Sequence, residues 1–137
     1  MKKINATKQE FVDLINGLFQ VQELKGKKFS LLVSKNLNIL QKNLEDVQKA
    51  GTPSEEFLEL AQKVNMIASG KASDSQEQID KLEAENKELV EARKEQMAKV
   101  TEMLKEEIEL ELHMLPEDTL PEDVTAKQIN SIINIIE

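Results

Sequence analysis

The amino-acid sequence predicts a mainly α-helical fold of the α+β kind. We expect a helical bundle with one long coiled-coil-like helix and a small two-stranded sheet that joins the chain ends. From Lys71 to Leu115 the chain has neither glycine nor proline, and a helical apolar pattern there gives way to a strict alternation typical of a strand. Apolar stripes with helical spacing also recur before this segment. With 137 residues the chain is long enough for one core, and we expect a single domain over 1–137.

The first half of the chain predicts two helices joined by a tight turn. Thr7 and Glu10 have the spacing of a capping box, which predicts a first helix over about 7–20. Gly26 lies in a short turn between lysines, and a second helix is expected over about 27–50, where apolar residues recur on one face.

The next segment predicts a third helix and a long fourth helix. Thr52 is expected at the cap and Pro53 at the first helical position, so that the third helix runs over about 53–69. A polar hinge is expected over 70–75, and the fourth helix over about 74–105. This helix is longer than a small globule is wide.

The fourth helix has an interrupted heptad pattern, which predicts a packing seam within the chain or between chains. Asn86 in this seam has two interpretations that stay open: it fixes the register of a parallel pair of helices, or it is a partly exposed residue of an intramolecular hairpin. The residues of the seam that we expect at an oligomer interface are Ile79, Leu82, Asn86, Leu89 and Arg93.

The chain ends are predicted to meet in a sheet. Apolar and polar residues alternate over about 108–114, and the short extended segment 2–6 is the available partner, since an isolated strand is not stable. Thr125 begins a second capping box, which predicts a terminal helix over about 125–136. Its isoleucines are expected either in the core or in a subunit contact, and those assigned to the contact are Ile132, Ile133 and Ile136.

The composition argues against an enzyme. His113 is the only histidine and there is no cysteine, so neither a zinc site nor a serine triad has the side chains that it needs. We therefore predict no catalytic residues, no metal and no cofactor. The lack of cysteine and of a long apolar run leads us to expect a soluble protein of a reducing compartment, with no membrane contact.

The net charge of −8 is unevenly distributed along the chain. Residues 1–50 carry nine lysines and five acidic residues, whereas residues 51–137 carry nine basic and 21 acidic residues. The total charge argues against direct binding of nucleic acid. The acidic half is compatible with the opposite role, a mimic of DNA that occupies a DNA-binding protein.

A row of lysines is the candidate ligand site. Lysines at seven-residue spacing share one face of the second helix, and others flank its start, where free amides favour anions. A phosphorylated small ligand is one interpretation, and a row that faces solvent or acidic parts of the chain is the other. The residues of this lysine row are Lys25, Lys27, Lys28, Lys35 and Lys42.

Three stretches together resemble a known group of proteins. They are Leu24-Lys25-Gly26-Lys27-Lys28-Phe29 followed by Lys35-Asn36, then Pro53-Ser54-Glu55-Glu56-Phe57, and Leu120-Pro121-Glu122-Asp123-Val124-Thr125-Ala126-Lys127-Gln128. In this order they resemble a family of small, uncharacterised bacteriophage and prophage proteins, mostly of Gram-positive hosts. The resemblance implies a genomic setting and assigns no functional residue.

Two functions follow as expectations. The first is a non-enzymatic accessory protein in the host cytoplasm that sequesters or inhibits a host protein or a phosphorylated signalling ligand, as in counter-defence. The second is a structural or assembly protein of the virion. In either case we expect a homo-oligomer, with a dimer favoured, because one small domain would struggle to cover both the long helix and the terminal isoleucines.

Overall fold

The computed structural model describes residues 1–70 and 73–137. Lys71 and Ala72, which belong to the hinge predicted over 70–75, lie outside the described residues. The chain forms two compact units. The first unit comprises Met1–Val47 and Glu102–Glu137, and the second comprises Gln48–Thr101. The prediction of a single domain over 1–137 stays a prediction.

The predicted fold class, mainly α with a small sheet at the chain ends, is confirmed. Within the described residues the elements are, in chain order, β1 (Lys2–Thr7), α1 (Lys8–Val21), α2 (Lys27–Asn43), α3 (Glu45–Gly51), α4 (Glu55–Ser69), α5 (Ser75–Glu85), α6 (Lys87–Leu104), β2 (Glu107–Leu112) and α7 (Ala126–Ser131). Short 3₁₀ turns cover Glu117–Thr119 and Ile133–Ile135.

The sheet joins the two ends of the chain in the first unit. β1 and β2 are antiparallel, with Lys2 opposite Leu112 and Thr7 opposite Glu107. Every second residue of β2 turns towards the core, and Leu110 and Leu112 are buried there. The alternating pattern predicted the strand, and the extended segment 2–6 was correctly predicted as its partner.

Two sets of hydrogen bonds hold the backbone that follows β2. The side chain of Asn36, fully buried in α2, donates from Nδ2 to the carbonyl of His113 at 2.8 Å and accepts at Oδ1 from the backbone N–H of His113 at 2.8 Å. Two residues further on, Leu115 pairs in parallel with Ile136: its N–H donates to the carbonyl of Ile135 at 2.7 Å, and its carbonyl accepts from the N–H of Glu137 at 2.9 Å. The backbone after β2 is thus hydrogen-bonded to a helix and to the chain terminus.

The core of the first unit draws on both ends of the chain. Its buried residues are Phe11, Leu14, Leu18, Val21, Phe29, Val33, Leu37, Leu40, Leu44, Leu110, Leu112, Leu115, Ile132 and Ile135. Of the two locations that the sequence left open for the terminal isoleucines, the core is correct for Ile132 and Ile135. Phe19, whose spacing predicts a buried position in the first helix, is exposed instead.

Gly17 allows α1 and α7 to approach each other closely. A Cβ atom at this position would clash with the carbonyl oxygen of Ser131. The glycine that weakens the helix in isolation is therefore needed for packing.

The two longest predicted helices are interrupted, each beside an asparagine. The helix predicted over 27–50 ends at Asn43, whose Nδ2 donates to the carbonyl of Ile39, and α3 begins at Glu45. The helix predicted over 74–105 is interrupted at Asn86, which has φ −115° and ψ 33° and donates from Nδ2 to the carbonyl of Leu82 at 2.9 Å. An asparagine side chain that bonds the carbonyl four residues back competes with the regular helix.

Two predicted helix ends are also corrected. α4 is capped by Ser54, whose Oγ accepts from the N–H of Phe57, while the hydroxyl of Thr52 donates back to Gln48. The terminal helix begins with the full capping box at Thr125 but ends at Ser131, because the chain then turns to pair with Leu115.

The second unit contains an antiparallel hairpin, the α4–α6 hairpin, in which α4 packs against α5 and α6. Residues near the start of α4 lie beside the middle of α6, and Val64 lies beside Glu83 at the end of α5. Within the described residues, no helix combines the length and the apolar character needed to cross a membrane.

Candidate functional site

The lysine row lies on one exposed face of α2 and at its start. Lys28, Lys35 and Lys42 are separated by about 10 Å along the helix axis, so they are too far apart to converge on a single phosphate. Within the described part of the chain, none of the five lysines forms an ion pair, and none lines a surface groove or hollow. The structure thus brings the row onto one face without enclosing a ligand.

The residues expected at an oligomer interface fall into two groups. Ile79, Leu82, Asn86, Leu89 and Arg93 come together on α5 and α6, and all five are partly exposed. The isoleucines belong to the first unit. Ile132 is fully buried in its core, Ile136 is half-buried, and Ile133 is exposed.

The α4–α6 hairpin buries little of its apolar surface. In the described part of the second unit, Leu60 and Val100 are the buried large apolar side chains, whereas Leu58, Met66 and Met97 are exposed. The apolar residues that remain partly exposed are Phe57, Ala61, Val64, Ile67, Ile79, Leu82, Leu89 and Val90. Helices normally bury such a stripe against a further layer, so this hairpin presents an incompletely covered apolar surface.

The polar residues of the heptad seam have an intramolecular role. Arg93 donates to the carbonyl of Gly51 at 2.8 Å and to Oε1 of Gln96 at 2.9 Å, and its guanidinium lies 5.5 Å from the ring centre of Phe57. Gln96 in turn donates to the carbonyls of Ala50 and Thr52. These side chains satisfy carbonyls at the end of α3 that the helix itself leaves free.

An open groove of about 690 Å³ runs between α4 and the junction of α5 with α6. Leu60, Ala84, Leu89 and Ala92 provide its apolar part, and Asn86 lies at the junction. The charged residues along it are Glu56, Glu59, Lys63, Glu85, Lys87 and Glu88. We call it the hairpin groove. The sequence does not indicate this groove, because a groove depends on how two helices pair and on where short side chains face each other.

Two smaller hollows share Phe57 in the same hairpin. One, of about 280 Å³, is lined by Arg93 and Gln96, and the other, of about 210 Å³, is lined by Val64 and Val90. Together with the hairpin groove, these hollows account for most of the concave apolar surface of the described residues, and all three lie in the second unit.

In the first unit, the buried side chain of Lys8 forms ion pairs with two partly exposed carboxylates, which the sequence did not indicate. Its side chain is 8% exposed, and Nζ lies 2.8 Å from Oε2 of Glu106 and 3.0 Å from Oδ2 of Asp46. The hydrogen bonds to Glu106 and then to Asp46 raise the pKa of Lys8, although burial opposes them. The hydrogen bond from Lys8 lowers the pKa of Asp46, again against desolvation.

The described residues offer no cluster of three or more histidine, aspartate and glutamate side chains that could hold a metal ion. His113 is partly exposed, and its backbone N–H and carbonyl are both hydrogen-bonded to the side chain of Asn36. The described residues of the second unit present a partly exposed apolar hairpin and a groove lined by charged side chains.

No protein family, curated protein or solved structure matches the chain.

Proposed function

We propose that this protein is a non-enzymatic accessory protein of a bacteriophage or prophage that acts in the host cytoplasm by binding and sequestering a host protein. The α4–α6 hairpin is the element that binds. The resemblance of three sequence stretches to phage proteins supports the setting, and the hairpin supports the mode of action.

The difference in burial between the two units carries this proposal. The first unit encloses an apolar core that includes Phe11, Leu18 and Phe29, whereas the hairpin leaves most of its apolar residues partly exposed. Large exposed apolar surfaces on soluble proteins mark sites of interaction. Binding through such a surface needs no catalytic group.

The proposal is tested by purifying the tagged chain gently from a bacterial host and identifying the retained proteins by mass spectrometry. We expect one host protein at near-stoichiometric amount with the unaltered chain. The double variant Leu58→Glu, Met66→Glu adds charge to exposed positions of the hairpin and should lose this protein, because the interface would have to bury two carboxylates.

The matched control is Phe19→Glu, Leu31→Glu, which places the same charges on exposed apolar positions of the first unit. It should retain the host protein. Equal retention by both variants, loss with the control alone, or the absence of any stoichiometric partner would each contradict the proposal.

A further inference from the structure

We propose that the hairpin groove binds a basic amphipathic helix of the partner protein, with the apolar side of that helix on the groove floor and its lysines or arginines against the glutamates. This inference rests on the proposed function and specifies the chemistry of the partner.

The size and floor of the groove fit a helix. Its α4 side extends from Glu56 to Lys63 and its other side from Ala84 to Ala92, so each side spans about two helical turns, or 10–12 Å. Ala84 and Ala92 have short side chains, which leave space beside Leu60 and Leu89. Apolar residues of a bound helix, spaced one turn apart, would fill this space.

The charge of the rim selects a basic occupant. Four glutamates line the groove against two lysines, Lys63 and Lys87. Nζ of Lys87 lies 3.9 Å from Oε1 of Glu91, a residue outside the groove, so Lys87 already has an acidic partner. The carboxylates of Glu56, Glu59, Glu85 and Glu88 are thus left in excess, and complementary charge steers and orients binding.

A second copy of the chain does not fit this description. Residues 48–101 carry 11 acidic and eight basic residues, so a second hairpin does not supply the excess positive charge that the groove selects. The most basic helix of the chain is α2, but its apolar face, with Phe29, Val33 and Leu40, is buried in the core of the first unit. The helix that occupies the groove therefore belongs to a different protein.

The test uses a defined probe, a fluorescein-labelled 18-residue peptide of leucine and lysine in which leucine follows the i, i+3, i+4, i+7 spacing of a helix. Fluorescence anisotropy measures its affinity for the full chain. Ala92→Leu fills the groove without changing charge and should weaken binding at least about tenfold. Ala98→Leu makes the same change at an exposed position of α6 outside the groove and should leave the affinity unchanged.

A second pair of variants tests the electrostatic part. Glu59→Gln, Glu85→Gln removes two carboxylates from the groove, and Glu77→Gln, Glu95→Gln removes two exposed carboxylates elsewhere on the same unit. The net charge is the same in both, so general attraction of a cationic peptide to an acidic protein weakens equally. We expect the groove variant to bind at least about fivefold more weakly than its control at low salt, and this difference to shrink at high salt.

Three results would overturn the inference: equal affinity of Ala92→Leu and Ala98→Leu, equal affinity of the two charge variants, or equal binding of a peptide in which glutamate replaces lysine. Each leaves the proposed function separately testable. If the peptide result is negative while the Leu58→Glu, Met66→Glu variant still loses its host protein, only the groove assignment fails.

Discussion

At the scale of single residues, Lys8 shows how a position that looks solvent-facing in the sequence becomes structural. It begins α1, where the helix dipole disfavours a cation, yet it is buried. Asp46 and Glu106 compensate, and they come from parts of the chain 38 and 98 residues away. No local pattern identifies such a triad, because nothing near Lys8 indicates which distant carboxylates will reach it.

We expect Lys8→Met to destabilise the first unit by about 1 kcal/mol. Methionine retains much of the apolar stem, and both acidic partners are more than half exposed and can be hydrated again, which keeps the loss small. Urea denaturation at pH 7 measures the change. Lys127→Met, at an exposed position of α7, is the control and should change the free energy of unfolding by less than about 0.5 kcal/mol.

The same pair of proteins gives a pH dependence with a defined sign. The pKa of Asp46 is lower in the folded chain than its ordinary value, so its contribution is present above about pH 4 and is lost as the pH falls through the folded pKa. The pKa of Lys8 is raised, so its contribution persists below about pH 10 and is lost above it. The difference in unfolding free energy between the unaltered chain and Lys8→Met should therefore be constant between pH 5 and about pH 9 and shrink below pH 4. A difference that stays constant down to pH 2 would be inconsistent with the ion pair.

At the scale of elements, the contact between α1 and α7 reverses the usual effect of a helical glycine. Replacing glycine by alanine inside a helix normally stabilises it by about 1 kcal/mol. At Gly17 the added methyl group meets the backbone of Ser131, which cannot move away as a flexible side chain could. We expect Gly17→Ala to destabilise the protein by about 1–3 kcal/mol in thermal or urea unfolding.

Gly51→Ala is the matched control. A Cβ atom there lies 3.7 Å from Cγ2 of Val100, an ordinary contact. This variant should be neutral or slightly stabilising. If both alanine variants were equally stable, α7 would not pack on α1 as described.

The type of an element could be predicted from the sequence where a single pattern dominates. The boundaries of helices could not be predicted where side chains compete with the backbone for hydrogen bonds. The alternation in β2 and the capping box at Thr125 were sufficient to predict the sheet and the start of α7. The interruptions beside Asn43 and Asn86 were missed, because apolar spacing continues through both positions while the amide groups bond locally. The assignment of the seam residues to an oligomer interface stays a prediction, and the sequence did not indicate the groove beside them.

At the scale of the whole molecule, the exposed apolar residues lead us to expect self-association, most simply a dimer. Ile133 in the first unit and Ile79 on α5 mark the two surfaces that the sequence proposes for this contact. Size-exclusion chromatography with light scattering should give twice the chain mass of 15.6 kDa at high micromolar concentration. A monomer at that concentration contradicts the expectation.

Single substitutions identify which surface is used. Ile133→Asp should yield monomers if the terminal isoleucines form the contact, and Ile79→Asp should do so if α5 forms it. Ile133 is 51% exposed, so its replacement does not disturb the core. Lys28→Glu, a substitution in the lysine row, should leave the measured mass of the assembly unchanged in either case.

The pairing of β1 with β2 has a consequence for how the protein is made. Lys2 is synthesised well before its partner Leu112, since most of the chain lies between them. Glu137, whose N–H donates to the carbonyl of Leu115, is synthesised later still. Contacts so distant in sequence slow folding, because a long loop must close before they form. On the ribosome the first unit therefore stays incomplete until Glu137 has been added. The α4–α6 hairpin is built from consecutive residues, so all of its helices are available earlier.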